Sequence, residues 1–106
     1  MDYNQLYQQT LKKWGEQAQY DQAAEECAEL IAALMHYRRD KIDEQQVIDE
    51  LADVTLMVGQ LTWMFGAERV DEAVQRKRAK LDGLLQCKHG ADVVGLSGFQ
   101  QAEIGE

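Results

Sequence analysis

The sequence predicts an all-α chain with four helices, at about residues 3–14, 20–38, 44–65 and 70–85, arranged like a four-helix bundle. Three observations carry that expectation. The 106 residues contain no proline, so nothing interrupts a helix from within. The chain is rich in Ala, Leu, Glu, Gln and Lys, the residues with the highest helix propensity. Apolar residues recur three and four apart in four runs, and glycine or polar stretches separate the runs.

The first helix opens on Asp2 and Gln5, which have the spacing of a capping box, and continues through Tyr3, Leu6, Tyr7, Thr10, Leu11 and Trp14. Gly15 suits its end. Trp14 either closes the apolar stripe or offers a flat surface for an aromatic ligand. The second helix, from about Gln19 or Asp21 to Arg38, has an apolar stripe of Ala24, Cys27, Ala28, Ile31, Leu34 and Met35. Cys27 on that stripe reads as a small buried hydrophobe. Gln22, Glu25, Glu26, Glu29 and His36 gather on the other side.

Asp43 and Gln46 form a second capping-box spacing, so the third helix starts near Glu44 and ends at Gly66. It is apolar around nearly all of its circumference, which predicts a central, buried helix. A narrow polar strip of Gln46, Glu50, Asp53 and Gln60 is the exception. The fourth helix carries Val70, Ala73, Val74, Leu81, Leu84 and Leu85, with Lys77 inside the stripe and Arg76, Arg78 and Lys80 around it. A lysine in an apolar seam either snorkels to water or answers a buried negative charge. Residues 1–86 therefore read as one domain, and 87–106 as a C-terminal extension that is mobile or packs on a neighbouring subunit.

A net charge of −8 argues against nucleic-acid polymers and anionic membranes as partners. No apolar run approaches a membrane span and no secretory signal is visible. Two cysteines, Cys27 and Cys87, do not make a disulfide framework. The expectation is a cytoplasmic protein.

The chemistry-bearing residues are two acidic pairs at i, i+3, Glu26 with Glu29 and Glu50 with Asp53. They flank a polar break, Arg38 to Asp43, that reads as the turn of a helical hairpin. With the turn centred near Arg39 and Asp40, Glu29 lies opposite Glu50 and Glu26 opposite Asp53. Four carboxylates at one level repel, each pair near 4 Å by about 1 kcal/mol in water and about 4 at a protein surface. They call for a compensating cation, and an all-oxygen set suits Mg²⁺, with Mn²⁺ as substitute. There is no glycine-rich P-loop, no Glu-x-x-His di-iron pattern and no nucleophilic triad.

Glu26-x-x-Glu29, a spacer of 20 residues and Glu50-x-x-Asp53 resemble the Glu-x-x-Glu…Glu-x-x-Asp signature of the MazG-like, all-α nucleoside triphosphate pyrophosphohydrolases. The doubled Glu25-Glu26 and the segment Lys77-x-x-Lys80-Leu81 are also similar to that family, over roughly residues 3–85. The resemblance implies Mg²⁺-dependent hydrolysis of an NTP or dNTP to the monophosphate and pyrophosphate. It implies Glu26, Glu29, Glu50 and Asp53 as metal ligands, and Glu25 as a further ligand or the group orienting the attacking water. Lys77 and Lys80 would meet the phosphates, and Trp14, Gln19 and Tyr37 are candidates for the base pocket. It also implies a homodimer or homotetramer, consistent with a third helix that needs a second subunit to cover its last face. A non-catalytic metal-binding helical module acting through a protein partner is the alternative.

Overall fold

The computed structural model describes residues 1–86, and these are all-helical: α1 (Tyr3–Arg38), α2 (Glu44–Phe65) and α3 (Ala67–Gln86). The extension expected at 87–106, including Cys87, lies outside the described residues. Met1–Ala67 forms one compact unit, and residues 68–86, nearly all of α3, belong to a second.

Both capping boxes are present. Asp2 accepts from the Gln5 backbone N–H at 2.8 Å while Gln5 Oε1 accepts from the Asp2 N–H at 2.8 Å. Asp43 and Gln46 repeat the exchange at the start of α2, at 3.0 and 3.2 Å. Each box satisfies N–H groups that a helix start leaves without intrahelical partners.

The turn between α1 and α2 is a Schellman motif. The Lys41 N–H donates to the His36 carbonyl at 2.9 Å, and the Asp40 N–H donates to the Tyr37 carbonyl at 3.0 Å. Asp40 occupies the left-handed position, φ 59°, where glycine is the usual residue. This turn brings α2 back along α1, and the two helices form an antiparallel hairpin.

The sequence expectation of two separate helices before the turn is met only in part. Gly15 leaves helical geometry at φ 88°, ψ 171°, but helix resumes at once, so residues 3–38 make one element with a sharp kink. The kink folds residues 3–14 back against the hairpin. In a straight helix Thr10 and Gln19 would be about 13 Å apart along the axis. Here Gln19 Nε2 donates to the Thr10 carbonyl at 3.4 Å. Gln60, almost fully buried in α2, fastens the same arm: its Nε2 donates to the Tyr7 carbonyl at 3.0 Å, and its Oε1 accepts from the Thr10 hydroxyl at 2.6 Å. Gln19 is buried as well, so the arm is held by two shielded amides rather than by an apolar seam. Gly59 makes room for it. A Cβ there would lie 2.8 Å from Tyr7 Cζ.

Two expectations about the core do not hold. The α1 residues against α2 are Gln19, Ala23, Glu26, Leu30 and Ala33, and the stripe Ala24, Cys27, Ala28, Ile31, Leu34 and Met35 faces away and is exposed. Cys27 is therefore an exposed free thiol, not a buried one. Likewise α2 is not a buried central helix. It turns Val47, Glu50, Val54, Met57 and Leu61 inward and leaves Ile48, Leu51, Leu56 and Val58 about half exposed. The physical reason is common to both: among the described residues, the contact of α1 with α2 covers only one apolar side of each helix. α3 has no buried residue, begins at Ala67 immediately after Gly66, and carries Lys77 and Lys80 exposed.

Replacing Asp40 by Gly removes the strain of a side chain at positive φ, and should raise the unfolding free energy by roughly 0.5–1 kcal/mol. A denaturant midpoint below that of the wild type would contradict the turn geometry. Gly59→Ala should lower the midpoint although alanine gains up to about 1 kcal/mol in helix propensity. Pairing it with Tyr7→Ala should erase the clash, so that Gly59→Ala becomes stabilising in that background.

Candidate metal centre

At about 100° per residue, Glu26 lies on the inner face of α1 and Glu29 at its edge, while Glu50 and Asp53 hold the corresponding places on α2. The hairpin brings the four together: one carboxylate oxygen from each lies within 4.8 Å of the others. The pairing is the one expected from the turn. Glu26 and Asp53 interact directly, and so do Glu29 and Glu50.

The cluster is electrostatically unsatisfied. Among the described residues the Arg76–Glu72 ion pair, 3.7 Å, lies on α3 and not on the cluster. Gln22 Nε2 donates to Glu26 Oε1 at 2.9 Å, but the other oxygen, Oε2, is buried with no hydrogen-bond partner, as is Oε2 of Glu50. Partial burial raises the Glu26 carboxyl above its ordinary value, and the charges of Asp53 and Glu29 raise it further. Glu29 is raised by desolvation first and then by Glu50, Glu25 and Asp53. Four converging carboxylates with two orphaned oxygens match the donor set that hard divalent ions take, oxygen only and several charges. The residues present thus fit a Mg²⁺ or Mn²⁺ ion.

Glu25 stands on the outer side of the row, exposed and close enough to raise the Glu29 carboxyl. Trp14 and Gln19 are brought together: with Thr10, Ala18, Gln22 and Met57 they line a cavity of roughly 410 Å³. Gln22 joins this cavity to the carboxylates through its bond to Glu26. The kink builds the cavity, because Trp14 precedes Gly15 and Ala18, Gln19 and Gln22 follow it. Lys13 Nζ lies 5.0 Å from the centre of the Trp14 ring. Tyr37 is not part of this cavity; it sits beside the turn, at the opposite end of the acidic row. Lys77 and Lys80 lie three residues apart on α3, in the second unit.

Sequence reasoning gave no role in the site to Gln22 or His36, and gave Gln46 only its capping role. A second, smaller cavity of roughly 230 Å³ lies on the turn side of the cluster, between Glu29, Ala33, His36, Gln46 and Glu50. The available signal was spacing: His36 is two turns beyond Glu29, and Gln46 one turn before Glu50, on the same faces.

Comparison with protein families, with characterised proteins and with solved structures gave no match. Among the described residues no helix is long and apolar enough to cross a membrane.

The raised carboxyls set the sign of a pH dependence. Protonated Glu26 and Glu29 are favoured in the folded state, so their contribution to stability is complete below the ordinary value of 4.5 and is lost as pH rises through the raised values. The metal-free protein should therefore melt at a lower temperature at pH 7 than at pH 5, and the difference should shrink in Glu50→Gln, which removes a charge facing Glu29. Melting that is no lower at pH 7, or an unchanged slope in the variant, would contradict the like-charge cluster.

Proposed function

We propose that the protein is a Mg²⁺-dependent nucleoside triphosphate pyrophosphohydrolase, converting an NTP or dNTP and water to the nucleoside monophosphate and pyrophosphate. The observation that carries this reading is the level square of Glu26, Glu29, Glu50 and Asp53, with two buried oxygens that lack partners. Such a square is the means by which an acidic protein binds an acidic substrate: the ions it collects reverse the local field.

In this reading Glu26, Glu29, Glu50 and Asp53 would hold the ion, which when bound would supply positive charge to the phosphate oxygens and a more acidic water. Glu25, on the solvent side of the row, orients the attacking water and takes its proton. The water oxygen bonds to the α-phosphorus, the bond from that phosphorus to the bridging oxygen breaks, and pyrophosphate leaves with the electron pair. The resemblance assigns Lys77 and Lys80, on α3, to the phosphates. Trp14 provides a face for the base, with Gln19 beside it. Keeping the triphosphate pool clean is a role that suits such a reaction.

A homodimer or homotetramer belongs to the same proposal. Ile31, Met35, Ile48, Leu51 and Val58 lie on one flank of the hairpin and the carboxylates on the other, since these apolar residues are rotated from the contact seam in the sense opposite to the acids. Ile31 is 63% exposed and Val58 53%. A second hairpin laid on that flank would complete a four-helix bundle without closing the acidic side.

The deciding assay offers a panel of NTPs and dNTPs with Mg²⁺ and separates pyrophosphate from orthophosphate. Pyrophosphate should be released from at least one nucleotide, with at least a hundredfold loss in Glu50→Gln, the order expected when electrostatic stabilisation of a transition state is removed. Orthophosphate as the first product would mean another bond is cut. Metal binding without turnover on any nucleotide would favour the non-catalytic module.

A further inference from the structure

One face of α1 carries, in order, Ala18, Gln22, Glu25 with Glu26, Glu29, Ala32 with Ala33, and His36, each step three or four residues. The two cavities therefore lie on the same flank of the hairpin, one at each end of the acidic row. They differ in chemistry. The cavity at the kink is the larger, roughly 410 Å³, with the Trp14 ring and Met57 in its wall. The cavity at the turn is roughly 230 Å³; His36 and Gln46 line it together with Ala32, Ala33, Ile42 and the carboxylates Glu29 and Glu50.

The turn cavity is set up to donate hydrogen bonds. Gln46 Oε1 is already engaged by the Asp43 N–H at 3.2 Å, which leaves the amide nitrogen as the part of that side chain offered elsewhere. Imidazole carries an N–H in either tautomer. The His36 backbone is anchored, because its carbonyl accepts from Lys41 at 2.9 Å and from Arg39 at 3.1 Å in the Schellman turn. Within five residues of His36 the chain also carries Arg38, Arg39 and Lys41 with Asp40 among them, all exposed, so the charge of this stretch is net positive. Donors and cations beyond a carboxylate-held ion suit anionic oxygens, whereas an aromatic and thioether wall suits a planar ring.

Resting on the pyrophosphohydrolase reading, we propose an orientation for the substrate: the β- and γ-phosphates occupy the turn cavity, with His36 as the residue that donates to them, and the base occupies the Trp14 cavity. The scissile bond then lies over the carboxylates, between the two. His36 is thereby a pyrophosphate-binding residue, and its loss acts on the leaving half of the substrate and not on the nucleoside half.

The test is calorimetric binding of inorganic pyrophosphate and, separately, of the nucleoside monophosphate of the best substrate to the full chain with Mg²⁺. His36→Ala should weaken pyrophosphate by about tenfold, as loss of a hydrogen bond to a charged group does, and leave the monophosphate unchanged. His36→Gln, which keeps an N–H donor, should recover most of the affinity. Trp14→Ala should show the converse pattern. Loss of monophosphate affinity alone in His36→Ala would reverse the orientation and overturn the proposal. Unchanged affinity for both products, in a wild type that hydrolyses NTP, would remove His36 from the site while leaving the activity standing. A wild type that neither hydrolyses NTP nor binds pyrophosphate would overturn both readings.

Discussion

The repulsion among Glu26, Glu29, Glu50 and Asp53 is the constraint around which the hairpin is built. Every other strong local feature of Met1–Ala67 acts to hold those carboxylates at one level. The Schellman turn and the Asp43–Gln46 box fix where α1 stops and α2 starts, and a register is only as good as its turn. At the far end, Gln60 and Gln19 fasten the folded-back arm with hydrogen bonds that lose nothing to solvent competition. A hairpin in which Ala23 and Ala33 are the buried apolar residues among those described has little hydrophobic stabilisation to offset four like charges. A cation in the square would turn the largest local destabilisation into a cross-link between the two helices.

The same geometry divides the surface by chemistry. One flank carries the carboxylates and both cavities; the other carries Ile31, Leu34, Met35, Leu51 and Val58 in the open. Contact along the apolar flank leaves the acidic flank accessible, so assembly and substrate binding need not compete. Cys27, exposed in the middle of that apolar stripe, would lie within any such contact.

Much of this was legible in the sequence, for identifiable reasons. Asp2, Asp43, Gly15 and Gly66 mark helix ends by chemistry that acts within a few residues, and each acts where expected, although Gly15 kinks a helix instead of separating two. The opposition of Glu26 to Asp53 and of Glu29 to Glu50 follows from the turn's position alone. What periodicity cannot supply is the identity of the neighbour. It marked Cys27 and Ile31 as an apolar face, and a face is apolar whether an element of the same chain covers it or not. Nor can it tell a buried amide from a solvated one: Gln19 and Gln60 look like surface residues and are among the most buried in the hairpin. Spacing puts His36 on the face of Glu29, but its place beside Gln46 and Glu50 depends on where α2 returns.

The central claim is that the four carboxylates are a divalent-cation site. Electron paramagnetic resonance of Mn²⁺ titrated into the protein tests it without requiring a substrate. The account predicts that the free-ion spectrum is depleted by the wild type and restored by excess Mg²⁺, and that Glu26→Gln with Glu50→Gln abolishes the depletion while the helix content persists. Mn²⁺ bound equally by that double variant would place the ion elsewhere and contradict the account.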